Sequence, residues 1–297
     1  FPSADIDDIY LGNGVSELIT MTTQALLDDG DEVLIPAPDY PLWTAATSLA
    51  GGKPVHYLCR EDDNWNPDIE DIKAKVTPKT KAIVVINPNN PTGSIITKEE
   101  FDAFLAKVPK DVIVALDEAY IEYNRNDTVP LATDYVRTHD NVIGLRTFSK
   151  AYGLAGVRLG YAFGNAEIIE ALSKVSIPFS VNSIAQAGAV ASLAAQKELR
   201  ERTDETVEQR DRLVEHFADF GVPESQANHI WFAADTIAKL GSPQEVAEKL
   251  AQHDVLVRAF PEGVRVTVTT AEETETLLKA WDAAFGAAET PKAQARI

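Results

Sequence analysis

Six short apolar runs, at residues 33–35, 55–58, 83–86, 112–116, 142–145 and 157–162, constrain this chain more than any other feature. Most are continuous in Val, Ile and Leu instead of alternating with polar residues, so both faces of each strand need cover. Amphipathic stretches at residues 16–27, ahead of the first run, and 98–108, between the third and fourth, supply it. The expected fold is α/β: a mostly parallel sheet sandwiched by helices, over residues 1–190. Pro36, Pro38, Pro88 and Pro91 punctuate the strand ends.

The pattern then changes. Residues 197–217 are charge-dense with apolar positions at helical spacing. An apolar stretch (230–234), a helix (242–252), two β runs (255–257 and 264–268) and a final helix (273–285) follow. Residues 191–297 therefore read as a smaller C-terminal α+β domain, with a frayed polar end at 290–297. The formal net charge is −19, which argues against a nucleic-acid or anionic-membrane partner, since both need a positive footprint. Cys59 is the one cysteine and no run reaches the roughly 20 apolar residues of a membrane span. With no signal peptide at the start, a reducing, cytoplasmic setting is expected. Five scattered histidines and one cysteine make no metal set.

Four strand-end loops carry candidate chemistry. Lys150 follows the run at 142–145, within Thr147-Phe148-Ser149-Lys150. The ends of α/β strands are where ligands bind, although a lone lysine there is usually an exposed loop residue. The hydroxyls of Thr147 and Ser149 and the guanidinium of Arg158 can collect on one anion. Asp117 ends the run at 112–116 and is either a helix N-cap or the partner of a buried cation. If a helix starts there, Tyr120 brings its hydroxyl to the same point; otherwise it is a core tyrosine. The loop Asn87-Pro88-Asn89-Asn90-Pro91-Thr92-Gly93 is a stiff turn able to fix the Asn90 amide, and either Asn–Pro bond can be cis. Gly12-Asn13-Gly14-Val15-Ser16-Glu17 opens a helix with free amides for a phosphate, but Glu17 stands where a dinucleotide fingerprint has its third glycine. A lysine, an aspartate, a phosphate cradle, an amide and a phenol together suit pyridoxal 5′-phosphate (PLP).

These motifs, in this order, resemble those of the fold-type I PLP-dependent aminotransferases of class I/II, and the likeness spans essentially the whole chain. The resemblance implies that Lys150 is the catalytic lysine that takes the cofactor aldehyde and that Asp117 pairs with the pyridinium nitrogen. It implies that Asn90 and Tyr120 bond the phenolic oxygen. Thr147, Ser149, Arg158 and the amides of Val15 and Ser16 would hold the phosphate. Tyr40, in Pro38-Asp39-Tyr40-Pro41, matches the aromatic that stacks on the ring, and Arg265 matches the clamp on the substrate α-carboxylate. Arg258 is read as a surface arginine. The partners implied are an amino acid, a 2-oxo acid and a second copy in a homodimer.

Residues 5–93 resemble bacterial alanine aminotransferases. Residues from about 94 onward resemble actinobacterial aromatic (phenylalanine) and histidinol-phosphate aminotransferases. The chain thus reads as a natural mosaic or a recombined or engineered chain, with an aromatic amino donor expected and alanine or histidinol phosphate as alternatives. A PLP-sensing domain of a regulator, without catalysis, is a further alternative. The family carries several dozen residues ahead of the equivalent of Phe1, including a tyrosine that reaches the partner's cofactor phosphate. Nothing here matches that arm, so weak cofactor retention and low turnover are expected.

Overall fold

The structure, a computed structural model, describes residues 5–286; the frayed end expected at 290–297 lies outside them. The strands in chain order are β1 (Ile9–Gly12), β2 (Glu32–Ala37), β3 (Lys53–Arg60), β4 (Asn66–Pro67), β5 (Thr80–Ile86), β6 (Ile113–Asp117), β7 (Val142–Thr147) and β8 (Gly160–Gly164). They form one sheet in the order β1-β8-β7-β6-β5-β2-β3-β4. Its centre, from β3 through β2, β5 and β6 to β7, is parallel, and β8, β1 and β4 add antiparallel edges.

Helices cover both faces, as the continuous apolar strands require. They are α1 (Val15–Leu26), α2 (Leu42–Leu49), α3 (Ile69–Lys75), α4 (Lys98–Leu105), α5 (Ala132–Tyr135), α6 (Ala166–Val175) and α7 (Ser183–Ala194). One core layer packs Val33, Ile35, Val84 and Leu145 against α1, α2 and α6. The opposite layer packs Leu34, Val85, Val114 and Leu116 against α3, α4 and α5. Local signals set the helix starts. Thr97 caps α4 in a reciprocal box with Glu100, and Asp68 caps α3.

The long α8 (Gln196–His216) leads to a second, three-stranded sheet. Strands β9 (His229–Ala233), β10 (Arg258–Phe260) and β11 (Gly263–Thr267) pair antiparallel in the order β10-β11-β9. Helices α9 (Pro243–Ala251) and α10 (Ala271–Phe285) close over it. Phe217, Phe220, Phe232 and Trp281 pack together at its centre, Phe232 stacked on Trp281 and the other contacts edge-on or tilted.

Three local expectations need correction. Residues 255–257 form no strand: the Val255 amide closes the end of α9 on Leu250 O and Leu256 is 87% exposed. The run at 157–162 is split, because Arg158 adopts φ +60° and the strand begins only at Gly160. No helix starts after Asp117. The chain makes a tight turn there and a single 3-10 turn, Ile121–Tyr123.

Candidate active site

Parallel strands β5, β6 and β7 end side by side, and each delivers a polar group at its C-terminal end. One cavity is lined by Val15, Ser16, Tyr40, Asn90, Asp117, Tyr120, Thr147, Ser149, Lys150 and Arg158, together with Ile86, Ala119 and Ala155. Residues from five separate stretches of sequence thus share one wall.

Asp117 is 2% exposed at the end of β6. Its Oδ2 accepts from Trp43 Nε1 at 3.1 Å and its Oδ1 accepts from the Ala119 amide at 3.2 Å. Burial pushes its pKa up to about 6, against the pull of those two donors and of Lys150. Lys150 is solvent-accessible through the open cavity but has protein on most sides. Its pKa is lowered first by desolvation and then by Arg265 and Arg158, with Asp117 opposing. Its Nζ lies 5.5 Å from the centre of the Tyr120 ring. Tyr120 is buried, and its hydroxyl is pushed up to about 12, so it stays protonated.

The candidate anion cradle combines backbone amides with side-chain donors. Gly14, at φ +82°, precedes α1 without a side-chain cap, so the first-turn amides of Val15 and Ser16 face the cavity. A side chain at Gly14 would run into the Arg158 guanidinium. A Cβ on Gly160 would come within 2.8 Å of Val15 N and 2.9 Å of Arg146 O. Arg158 Nη1 donates to Ala155 O at 2.9 Å. The Ser149 amide donates to Thr147 Oγ1 at 3.0 Å, turning the loop after β7 towards the cradle. Two hydroxyls, a guanidinium and free amides are the donor set of a phosphate monoester. With Lys150 for an aldehyde and a buried carboxyl for a ring nitrogen, these residues fit PLP.

Arg265, on β11, reaches the site from the second sheet. Its Nη1 donates to Asn90 Oδ1 at 2.6 Å, while its buried Nε has no partner among the described residues. A second anion would complete that fork. Arg258 lies opposite Arg265 in the β10–β11 ladder and is exposed. Both Asn–Pro bonds, before Pro88 and Pro91, are cis.

Sequence reasoning missed Trp43 and His229, both of which touch site residues. Trp43 follows Pro41-Leu42 in the aromatic motif, so proximity to Tyr40 was its signal. His229 carried none, because its contacts span 140 positions. Glu118 was also passed over. It is buried, pairs with Arg146 at 2.6 Å and accepts from the Ala132 amide at 2.7 Å, which ties β6 to β7 behind the site.

The profile of the family described as aminotransferase class I and II matches residues 3–280. An aromatic amino acid aminotransferase of Corynebacterium glutamicum (strain R) is 50% identical over 279 residues, covering 94% of this chain and 79% of the relative. That one alignment runs through both sides of residue 94. An enzyme of the same description from Mycobacterium marinum is 40% identical, over 92% of this chain and 74% of its own. Among solved structures, a histidinol-phosphate aminotransferase of Sinorhizobium meliloti in complex with pyridoxal-5′-phosphate superposes with a TM-score of 0.80. It is 28% identical and covers 91% of this chain and 74% of that one. A Thermus thermophilus aspartate aminotransferase mutant gives a TM-score of 0.82 at 28% identity, over 94% and 80% of the two chains.

Proposed function

This chain belongs to the class I and II aminotransferases and is a PLP-dependent transaminase, and from that premise we propose that it moves the amino group of an aromatic amino acid to a 2-oxo acid. The aromatic donor rests on the relatives of that description at 40–50% identity. The residue roles rest on one observation: Lys150, Asp117, Asn90, Tyr120, Thr147, Ser149 and Arg158 line a single cavity.

In this reading Thr147, Ser149, Arg158 and the amides of Val15 and Ser16 hold the cofactor phosphate. Asp117 holds a proton on the ring nitrogen, and Asn90 and Tyr120 hydrogen-bond the phenolic oxygen. Tyr40 covers a ring face. Bound PLP supplies an electron sink for the pair left at Cα when its proton departs. Lys150 Nζ takes that proton and holds it for return, and its lowered pKa keeps a fraction of the amine neutral for the task. Arg265 binds the α-carboxylate with two parallel hydrogen bonds, one from the orphan Nε, and so orients Cα.

The proposed division is a large PLP-binding domain over 1–190 and a small domain over 191–297, supported by the two sheets with separate cores. A homodimer is supported by the exposed apolar side chains Ile177, Phe179, Ile184 and Val190 along one segment. A cytoplasmic setting is supported by the free, buried thiol of Cys59. No helix among the described residues is long and apolar enough to cross a membrane.

A donor panel with 2-oxoglutarate tests the substrate. Phenylalanine, tyrosine and tryptophan should exceed alanine, aspartate and histidinol phosphate in kcat/KM. Alanine ahead of phenylalanine would reverse the assignment. Borohydride reduction and peptide mapping should put the pyridoxyl group on Lys150, and a label on another lysine would remove it from its role.

A further inference from the structure

His229 shares a face of the second sheet with Trp231, the ladder partner of Arg265, yet it does not line the cavity. It is 1% exposed. Its Nε2 lies 3.2 Å from Asn89 O, and its ring meets Tyr120 edge-on at 5.0 Å and 86°. Asn89 and Tyr120 flank two different walls of the site, and one side chain touches both.

The surroundings make this contact a latch. Asn89 O also accepts the Gly93 amide at 3.0 Å, and the Gln226 amide donates to Gly93 O at 2.8 Å. Ser225 Oγ donates to His229 O at 2.6 Å, which fixes the start of β9. Gly93, at φ +77°, lies so close to Ser225 that no side chain fits between them. The segment 225–229 is thus clasped to the loop 89–93, and the next residue of that loop, Asn90, holds Arg265. A carbonyl accepts, so the proton of the imidazole must sit on Nε2. Burial and the nearby cations of Arg265 and Lys150 push the ring pKa down to about 3, which keeps it neutral.

We propose that His229 is a positioning residue for substrate carboxylate binding: its Nε2–H, donated to Asn89 O, sets the Asn90 amide that aims the Arg265 fork, while its ring buttresses Tyr120. This rests on the reading of Arg265 as the carboxylate clamp. The second sheet then contributes both the clamp and the strut that aims it.

Three substitutions in the PLP-loaded enzyme separate the parts. His229→Gln keeps an N–H where Nε2 stands, His229→Asn reaches only as far as Nδ1, and His229→Phe keeps a ring with no donor. The probe is 3-phenylpropionate, an unreactive carboxylate, titrated against the visible absorbance of bound PLP, alongside KM and kcat for phenylalanine. The Asn and Phe variants should weaken the probe and raise KM about five- to tenfold, the range of one lost hydrogen bond. The change in kcat should be smaller, and PLP affinity should hold. The Gln variant should stay within about twofold of the parent. If Phe does not fold, the Gln–Asn pair carries the comparison. Equal behaviour of Gln and Asn, or unchanged probe binding in Asn and Phe, overturns the proposal. Arg265→Lys is run in parallel: if it also leaves probe binding unchanged, the clamp assignment has failed and not merely its strut.

Discussion

The buried carboxyl of Asp117 carries a cost to the folded chain. With its pKa raised from 3.8 to about 6, its carboxyl is protonated in both folded and unfolded states below about pH 4 and carries no penalty. As the pH rises through about 6 the buried charge must form, and that part of the stability of the cofactor-free protein is lost. The difference amounts to roughly 3 kcal/mol. Asp117→Asn should therefore flatten the decline in cofactor-free stability between pH 4 and pH 7, measured by urea denaturation. The same change should lower turnover by about two to four decades, since a buried ionic partner is worth about 3–5 kcal/mol. An Asn variant with the parent's pH slope, or with full turnover, would show that the carboxyl is not held as described. His229 has the opposite sign: its depressed pKa favours folding above about pH 6.5 and lets go as acid forces a proton onto the buried ring.

At the scale of elements, the cradle depends on how closely β8 passes the first turn of α1. Gly160 pairs with Gly12 on β1 and with Thr147 on β7, so it has strands on both sides and a helix start above it. A methyl group there meets backbone atoms of Val15 and Arg146, which cannot swing aside as a side chain would. Gly160→Ala should cost about 1–3 kcal/mol of stability, as overpacking does. It should weaken PLP retention by at least about tenfold, since displacing α1 moves the phosphate donors. Gly156, a few residues earlier, is the control: an added Cβ meets nothing within 4 Å. Gly156→Ala should bind PLP as the parent does. Equilibrium dialysis and thermal melting distinguish the two, and equal loss in both would show that loop flexibility, not close approach, governs the cradle.

For the whole molecule, the register between the two sheets decides whether Arg265 meets Lys150. Arg210, on α8, is 2% exposed and donates to Tyr123 O and Ala227 O at 3.3 Å each. One carbonyl belongs to the turn after β6 and the other to the approach to β9. Arg125 adds a second tie, with its amide on Gln226 Oε1 at 2.8 Å and its guanidinium on Asp204 at 2.7 Å. Arg210→Met should cost about 2–4 kcal/mol, because it leaves two buried carbonyls without a charged donor. It should also raise KM for the amino acid. Arg200→Met, which breaks only the exposed pair with Asp204, should change stability by less than about 1 kcal/mol. If chemical denaturation ranks the two alike, α8 is not the joint between the sheets.

The class of fold was legible in the chain, as were the polar residues that stand at the strand ends. Continuous runs such as 83–86, 112–116 and 142–145 demand two covered faces, and the segments that follow them carry Asn90, Asp117 and Lys150. The helices expected from 98 and 242 start where Thr97 and Ser242 cap them in the structure. Sequence patterns misled where neighbours overrule local preference. Residues 255–257 are β-prone, but Val255 finds its partner in α9 and not in a strand. Arg158 interrupts an apolar run in a left-handed turn, with its guanidinium on the carbonyls of Ala155 and Asn13. That Trp43 reaches Asp117 across 74 positions, and His229 reaches Asn89 across 140, emerges only from the packed fold. Such contacts leave no periodicity and no spacing in the chain. They are set by which strand ends lie side by side, and that follows from the packing of both sheets rather than from any single segment.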